Sequence, residues 1–265
     1  MNNPLFQLGL PTWASVRRRA SLVGELALAC VLLIICSSCS KSDARKYSNA
    51  AATKYASADY SGAVADCDEA IKADPNYAKA YLTRGIAKDA LNDETGAIAD
   101  YTKAIELNPN YQFAYYNRGN SEQKIKDYAN AIRDYDKATS LDPQDAAVFF
   151  NRGNTKYLQS DYGAAIADYS KAIELNPVYD KAYNSRGAAR NHTEDFLGAI
   201  EDCSRAIELN PQYAEAYNNR GTAKRGLKDF DGAIADYSKA VELNPQYAKA
   251  YTNRVAVEAL KKGMK

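Results

Sequence analysis

Histidine is almost missing: His192 is the one copy in 265 residues. A Ser/His/Asp constellation has no second histidine to draw on, and a lone histidine in a turn reads as a solvated side chain. The CxxC spacing occurs once, at Cys36–Cys39 inside the N-terminal segment, and no glycine-rich loop stands behind a strand, so the repeats carry no redox, zinc or nucleotide-phosphate motif. Neither sign of charge is in excess. Lys and Arg number 34 against 33 Asp and Glu, and without residues 1–38 the balance is 31 to 32, which argues against nucleic acid as a partner. The run Leu26–Cys36 spans 11 apolar residues, short for a membrane span. Of five cysteines, Cys30, Cys36 and Cys39 sit in the N-terminal segment. Cys67 and Cys203 lie too far apart in the chain's pattern to be bridged, and read as small buried side chains. These absences leave a protein without a visible catalytic, cofactor or metal site.

What the chain has instead is a period. Residues Ala78–Tyr111 recur in nearly the same letters from Ala44 to the C-terminus, and Pro75, Pro109, Pro143, Pro177, Pro211 and Pro245 stand 34 residues apart. A period of that length signals stacked units, each too small to bury its own apolar face. Within one unit, Tyr81, Gly85 and Ala87–Leu91 form one helical stripe, and Ala97, Ile98, Tyr101, Ala104, Ile105 and Leu107 a second. Asp93, repeated as Asp59, Asp127, Asp161, Asp195 and Asp229, is placed to cap the second helix. Asn108-Pro109 ends it, because proline lacks a donor and disfavours the α region in the residue before it.

The helix-turn-helix pattern of Tyr81, Gly85, Ala97, Tyr101, Ala104 and Pro109 resembles the tetratricopeptide repeat. The resemblance covers Ala44–Lys265 and implies an all-α fold, an α-solenoid forming a right-handed superhelix of six helix-turn-helix units (44–77, 78–111, 112–145, 146–179, 180–213 and 214–247) with a closing helix over 248–265. Unit one departs from the pattern with Ala51 for the glycine and Cys67 for the tyrosine. An arginine column, Arg84, Arg118, Arg152, Arg186, Arg220 and Arg254, accompanies an aspartate column, Asp66, Asp100, Asp134, Asp168, Asp202 and Asp236. Unit one lacks the arginine and the closing helix lacks the aspartate. Pairing each arginine with the aspartate of the preceding unit therefore satisfies all six, and an inter-repeat ladder is expected.

Function is expected on the inner face, formed by the first helix of each unit. One column there reads Asn49, Thr83, Asn117, Asn151, Ser185, Asn219 and Asn253. Asparagine is a middling helix former, so its recurrence asks for another reason. Its amide donates and accepts, and can pair with the backbone of an extended peptide; the alternative is that these amides bridge adjacent helices. The column resembles the asparagine ladder on the concave face of tetratricopeptide arrays that hold extended polypeptide. In units three and four the neighbouring positions turn aromatic and amide-rich: Phe113, Tyr116 and Asn120, then Phe150, Asn154 and Tyr157. These are candidate anchor pockets for a partner side chain, or else helix packing. A protein or peptide segment is the expected partner, with homo-oligomerisation the rival use of the array.

Residues 1–38 lie outside the repeats. Arg17, Arg18 and Arg19 precede the apolar run, and small residues follow before Cys39. The arrangement resembles a bacterial lipoprotein signal, with Cys39 as the lipidated residue and residues 39–43 as a short tether. The expected destination is then the cell envelope, facing the periplasm from the outer membrane. A single-pass N-terminal anchor is the alternative, and Cys30 is a weaker rival for lipidation.

Overall fold

A computed structural model describes residues 40–263, all of whose regular structure is helical. Residues 1–39, including Cys39 and the signal-like segment, lie outside the described residues. Helix α1 covers 40–56 and is followed by α2 (Tyr60–Ala73), α3 (Ala78–Ala90), α4 (Glu94–Leu107), α5 (Gln112–Lys124), α6 (Tyr128–Leu141), α7 (Ala146–Leu158), α8 (Tyr162–Leu175), α9 (Asp180–His192), α10 (Phe196–Leu209), α11 (Ala214–Gly226), α12 (Phe230–Leu243) and α13 (Ala248–Gly263). The expected tether is not seen at residues 40–43, which already belong to α1. Ala44 is buried one turn further on, so docking of this end extends the helix toward the N-terminus.

Every turn between paired helices is built alike. A residue with φ near +60° (Ala58, Asn92, Lys126, Ser160, Glu194, Lys228) reverses the chain, and the aspartate after it caps the next helix. Asp93 accepts from the Gly96 N–H at 2.9 Å, and Asp59, Asp127, Asp161, Asp195 and Asp229 do the same for their own helices. The aspartate column is thus the set of caps that its spacing suggests. At the far end of α4, Asn108 takes an extended conformation ahead of the proline while its N–H still reaches the Ala104 carbonyl.

The chain divides into a unit that ends at Arg84 and a unit that begins at Gly85. In the first, Ala44, Ala51, Ala63, Cys67 and Ala70 are buried, and Lys54 reaches Asp66 at 2.9 Å. In the second, each helix packs on its sequence neighbours. The odd-numbered helices α5, α7, α9, α11 and α13 also touch one another in succession, and the even-numbered ones do not. The stack is therefore curved with the odd helices inside, and their outward-facing columns line a groove. Closeness within a repeat is set at the glycine column: a Cβ on Gly153 would sit 2.8 Å from the Tyr169 ring. Tyr101, Tyr135, Tyr169 and Tyr237 fill the buried space between paired helices.

The arginine ladder is present, with a different partner from the one expected. Arg118 Nε and Nη2 grip both oxygens of Asp134 at 2.6 and 2.8 Å, and Arg152, Arg186 and Arg220 hold Asp168, Asp202 and Asp236 in the same fork. Each aspartate belongs to the arginine's own repeat. The remaining nitrogen, Nη1, reaches back to the preceding repeat, at Thr102, Asp136, Ser170 and Ser204 respectively. The guanidinium also lies 5.3–5.7 Å from the ring of Tyr115, Phe149, Tyr183 or Tyr217, within cation–π range. One side chain thus joins three helices. The chain ends misled the pairing argument because other side chains fill in: Lys54 serves Asp66, and Arg254 lies 3.7 Å from Glu258.

Candidate functional site

The asparagine column lies on the odd helices, and three of its amides bond between repeats. Asn151 Nδ2 donates to the Tyr116 hydroxyl at 2.8 Å and to Asn120 Oδ1 at 3.1 Å. Asn219 and Asn253 donate to Asn184 and Asn218, each at 2.9 Å. Asn117 turns onto its own helix, to the Phe113 carbonyl at 2.7 Å, while Asn49 in the first unit is exposed. Bridging of adjacent helices is therefore a role this column has in the structure.

Asn120 and Asn154 are tied to the buried tyrosines. Tyr135 donates to Asn120 Oδ1 at 2.8 Å and Tyr169 to Asn154 Oδ1 at 2.9 Å, meeting the demand of a buried hydroxyl for an acceptor. Burial raises the titration of both phenols. In repeat five the tyrosine is replaced by Cys203, which needs no such acceptor, and the asparagine position is Ala188. Burial pushes the Cys203 thiol up to about 12. Cys67 and Cys203 are both buried, in keeping with their reading as small core side chains.

The aromatic residues divide by exposure. Phe113 is 58% exposed. Tyr116 packs on Tyr135 with ring centroids 6.3 Å apart, and Phe150 is held between Tyr179 at 4.9 Å and Tyr169 at 5.9 Å. Tyr157 stands edge-on to Tyr162 and His192. His192, expected as a solvated turn residue, is the last residue of α9; its ring stacks on Tyr162 at 4.3 Å and Nε2 lies 3.0 Å from the Tyr157 hydroxyl. It is exposed yet oriented.

Tyr157, Asn219 and Asn253 from the expected set come together around a hollow of about 310 Å³ between α7, α9, α11 and α13. The short side chain of Ala188 contributes to its wall, along with Asn191, His192, Arg225 and Lys249. An adjoining hollow of about 230 Å³ shares Tyr157, Asn219 and Lys249 and extends to Asn184 and Ser185. Reading single columns missed Arg225 and Lys249. Arg225 does continue the column of Tyr157 and Asn191 at the same spacing, and following that column to its end was the available signal. Among the described residues no group of acidic, cysteine or histidine side chains could hold a metal ion, and no helix is long and apolar enough to cross a membrane.

Comparison with known proteins follows the same architecture. One model of the tetratricopeptide repeat matches residues 113–145, 146–179 and 214–247, and a second matches 78–111; together they span just over half of the chain. No curated protein sequence matches it. Among solved structures, a MamA protein is 28% identical, covers 65% of this chain and 94% of its own, and superposes with a TM-score of 0.59. YrrB, described as a repeat protein with an unusual peptide-binding site, is 22% identical over 70% of this chain and 96% of its own, at a TM-score of 0.62. PilF of Pseudomonas aeruginosa is 16% identical over 82% and 99%, at 0.72. The last two likenesses bear on the fold alone.

Proposed function

The chain belongs to the tetratricopeptide repeat family, and from that premise we propose that it is a non-catalytic interaction scaffold of the bacterial cell envelope, whose inner face holds an extended segment of a partner protein. One observation carries the reading: the odd helices α7, α9, α11 and α13 jointly line two adjoining hollows with amides, an aromatic ring and cations. Polar groups beside aromatic surface suit a peptide, whose backbone needs donors and acceptors while its side chains seek anchor sites. Phe113 adds an exposed aromatic on the same layer of helices. An assembly role, holding a subunit segment until it is passed on, is consistent with such a groove.

The envelope part of the proposal rests on Arg17–Arg19, the apolar run and Cys39. Labelling with radioactive palmitate, with Cys39→Ala as control, tests it: label lost and chain released from membranes supports lipidation, whereas unchanged membrane association favours an N-terminal anchor. The groove is tested by affinity capture from envelope extract with wild-type chain and a Phe113→Ser, Tyr157→Ser variant of equal helicity. A protein retained by the first and lost by the second supports the groove, and identical capture by both contradicts it. A second reading, self-association, has the exposed Tyr251, Val255 and Leu260 of α13 behind it. Concentration-dependent sedimentation that disappears in a Tyr251→Ser, Leu260→Ser variant would favour it.

A further inference from the structure

We infer that the hollow over Ala188 is a carboxylate site, which selects acidic side chains in the segment held by the groove; this rests on the groove reading above. The charges in the hollow carry the argument. Arg225 and Lys249 line it from α11 and α13, His192 stands at its edge, and no acidic residue is among its lining. The neighbouring lysine column is neutralised. Lys88, Lys156 and Lys224 lie 2.7–2.8 Å from Asp100, Asp168 and Asp236, and Arg152 and Arg220 are held by the last two of these aspartates. Arg225 and Lys249 make no ion pair or side-chain hydrogen bond with any described residue. Glu215 lines the adjoining hollow together with Lys249 but forms no ion pair with it.

The column that contains Arg225 changes sign along the array. Its repeat-two member is Asp89, whose carboxylate is taken up by the Tyr101 hydroxyl, the Ser121 hydroxyl and Lys124. Gln123, Tyr157 and Asn191 follow, and Arg225 ends the series with a charge that nothing offsets. Two cations in a concavity walled by Tyr157 and His192 reinforce each other's field, because the walls exclude part of the screening water. A singly charged carboxylate from a Glu or Asp side chain satisfies both. The continuation of the hollow toward Asn184 and Ser185 leaves room for the residues on one side of the acidic one, at roughly 3.3 Å per extended residue.

The test is fluorescence anisotropy with the full chain in mild detergent and three labelled dodecapeptides. The first alternates Ser and Glu and has an amidated C-terminus, the second replaces every Glu by Gln, and the third is the Gln peptide with a free C-terminal carboxylate. The Glu peptide is expected to bind about five- to tenfold more tightly than the Gln peptide at low salt, with the gap closing as salt is raised. Arg225→Gln with Lys249→Gln abolishes the gap by bringing Glu-peptide binding down to that of the Gln peptide, while Arg225→Lys with Lys249→Arg preserves it. Equal binding of Glu and Gln peptides by wild type, or a gap that survives the double glutamine substitution, overturns the carboxylate site and leaves the groove standing. A preference confined to the free C-terminus also overturns side-chain selection. Binding of none of the three overturns the groove reading together with this one.

Discussion

Glu122 breaks the charge pattern of the array, and reversing it should stabilise the protein. The equivalent positions in the other repeats are Lys54, Lys88, Lys156, Arg190 and Lys224, each within 3.0 Å of the aspartate-column member of its own repeat. Repeat three places a carboxyl there, 8% exposed, facing Asp134, with Oε2 buried and without a hydrogen bond. Burial, and then the charge of Asp134, push the Glu122 carboxyl up to about 7 from 4.5. An acid whose folded value is raised favours folding fully below its unfolded value and loses that contribution as pH climbs through the folded one. The wild type should therefore weaken between about pH 4.5 and 7. A displacement of this size corresponds to roughly 3 kcal/mol at full effect, and to roughly 1–3 once relaxation and water entry are allowed for. Glu122→Lys removes the penalty and supplies Asp134 with the partner its equivalents have. Urea unfolding followed by circular dichroism should show a midpoint about 0.3–1 M higher for the variant at pH 8, with the difference shrinking toward pH 5. Hydrogen exchange in α5 and α6 localises the gain, since repeat arrays open piecewise. Parallel pH profiles for the two proteins, or a lower midpoint for Glu122→Lys, would refute the reasoning.

Three further substitutions probe the packing rules. Gly153→Ala drives a Cβ to 2.8 Å from the Tyr169 ring and 3.2 Å from Asp168 Cβ, and should cost about 1–3 kcal/mol in thermal unfolding. Glu194→Gly relieves a side chain held at φ +60° and should gain about 1 kcal/mol, read as a higher melting temperature. Asn154→Leu strips the acceptor from the buried Tyr169 hydroxyl, at a cost of roughly 1–3 kcal/mol. Adding Tyr169→Phe should recover most of that loss, because the stranded hydroxyl goes with it.

Features set by short-range spacing were legible in the sequence. Asp93 and its equivalents cap helices that begin one residue later, and a proline two residues past Leu107 can only end a helix, so both follow from local rules. The partner of Arg118 was not legible, because the choice between Asp100 and Asp134 depends on where a long side chain turns between three packed helices. Counting residues at the chain ends favoured the wrong one, since Lys54 and Glu258 substitute there. The inter-repeat bonds of Asn151, Asn219 and Asn253 were one of two readings the column allowed, and geometry was needed to show them. The hollow over Ala188 was least legible. It combines Tyr157, Arg225 and Lys249 from three helices and two different columns, and has the short side chain of Ala188 in its wall.

The claim that partners are held on the odd-helix face is tested most directly by photo-crosslinking in intact cells. A benzoylphenylalanine in place of Phe113 puts the probe on that face with little change in size, and one in place of Leu197, 68% exposed on α10, puts it on the even-helix layer. A discrete adduct to another protein from position 113, absent from position 197, is the predicted result. Adducts from position 197 with none from 113, or adducts from 113 solely to a second copy of the same chain, would contradict the account.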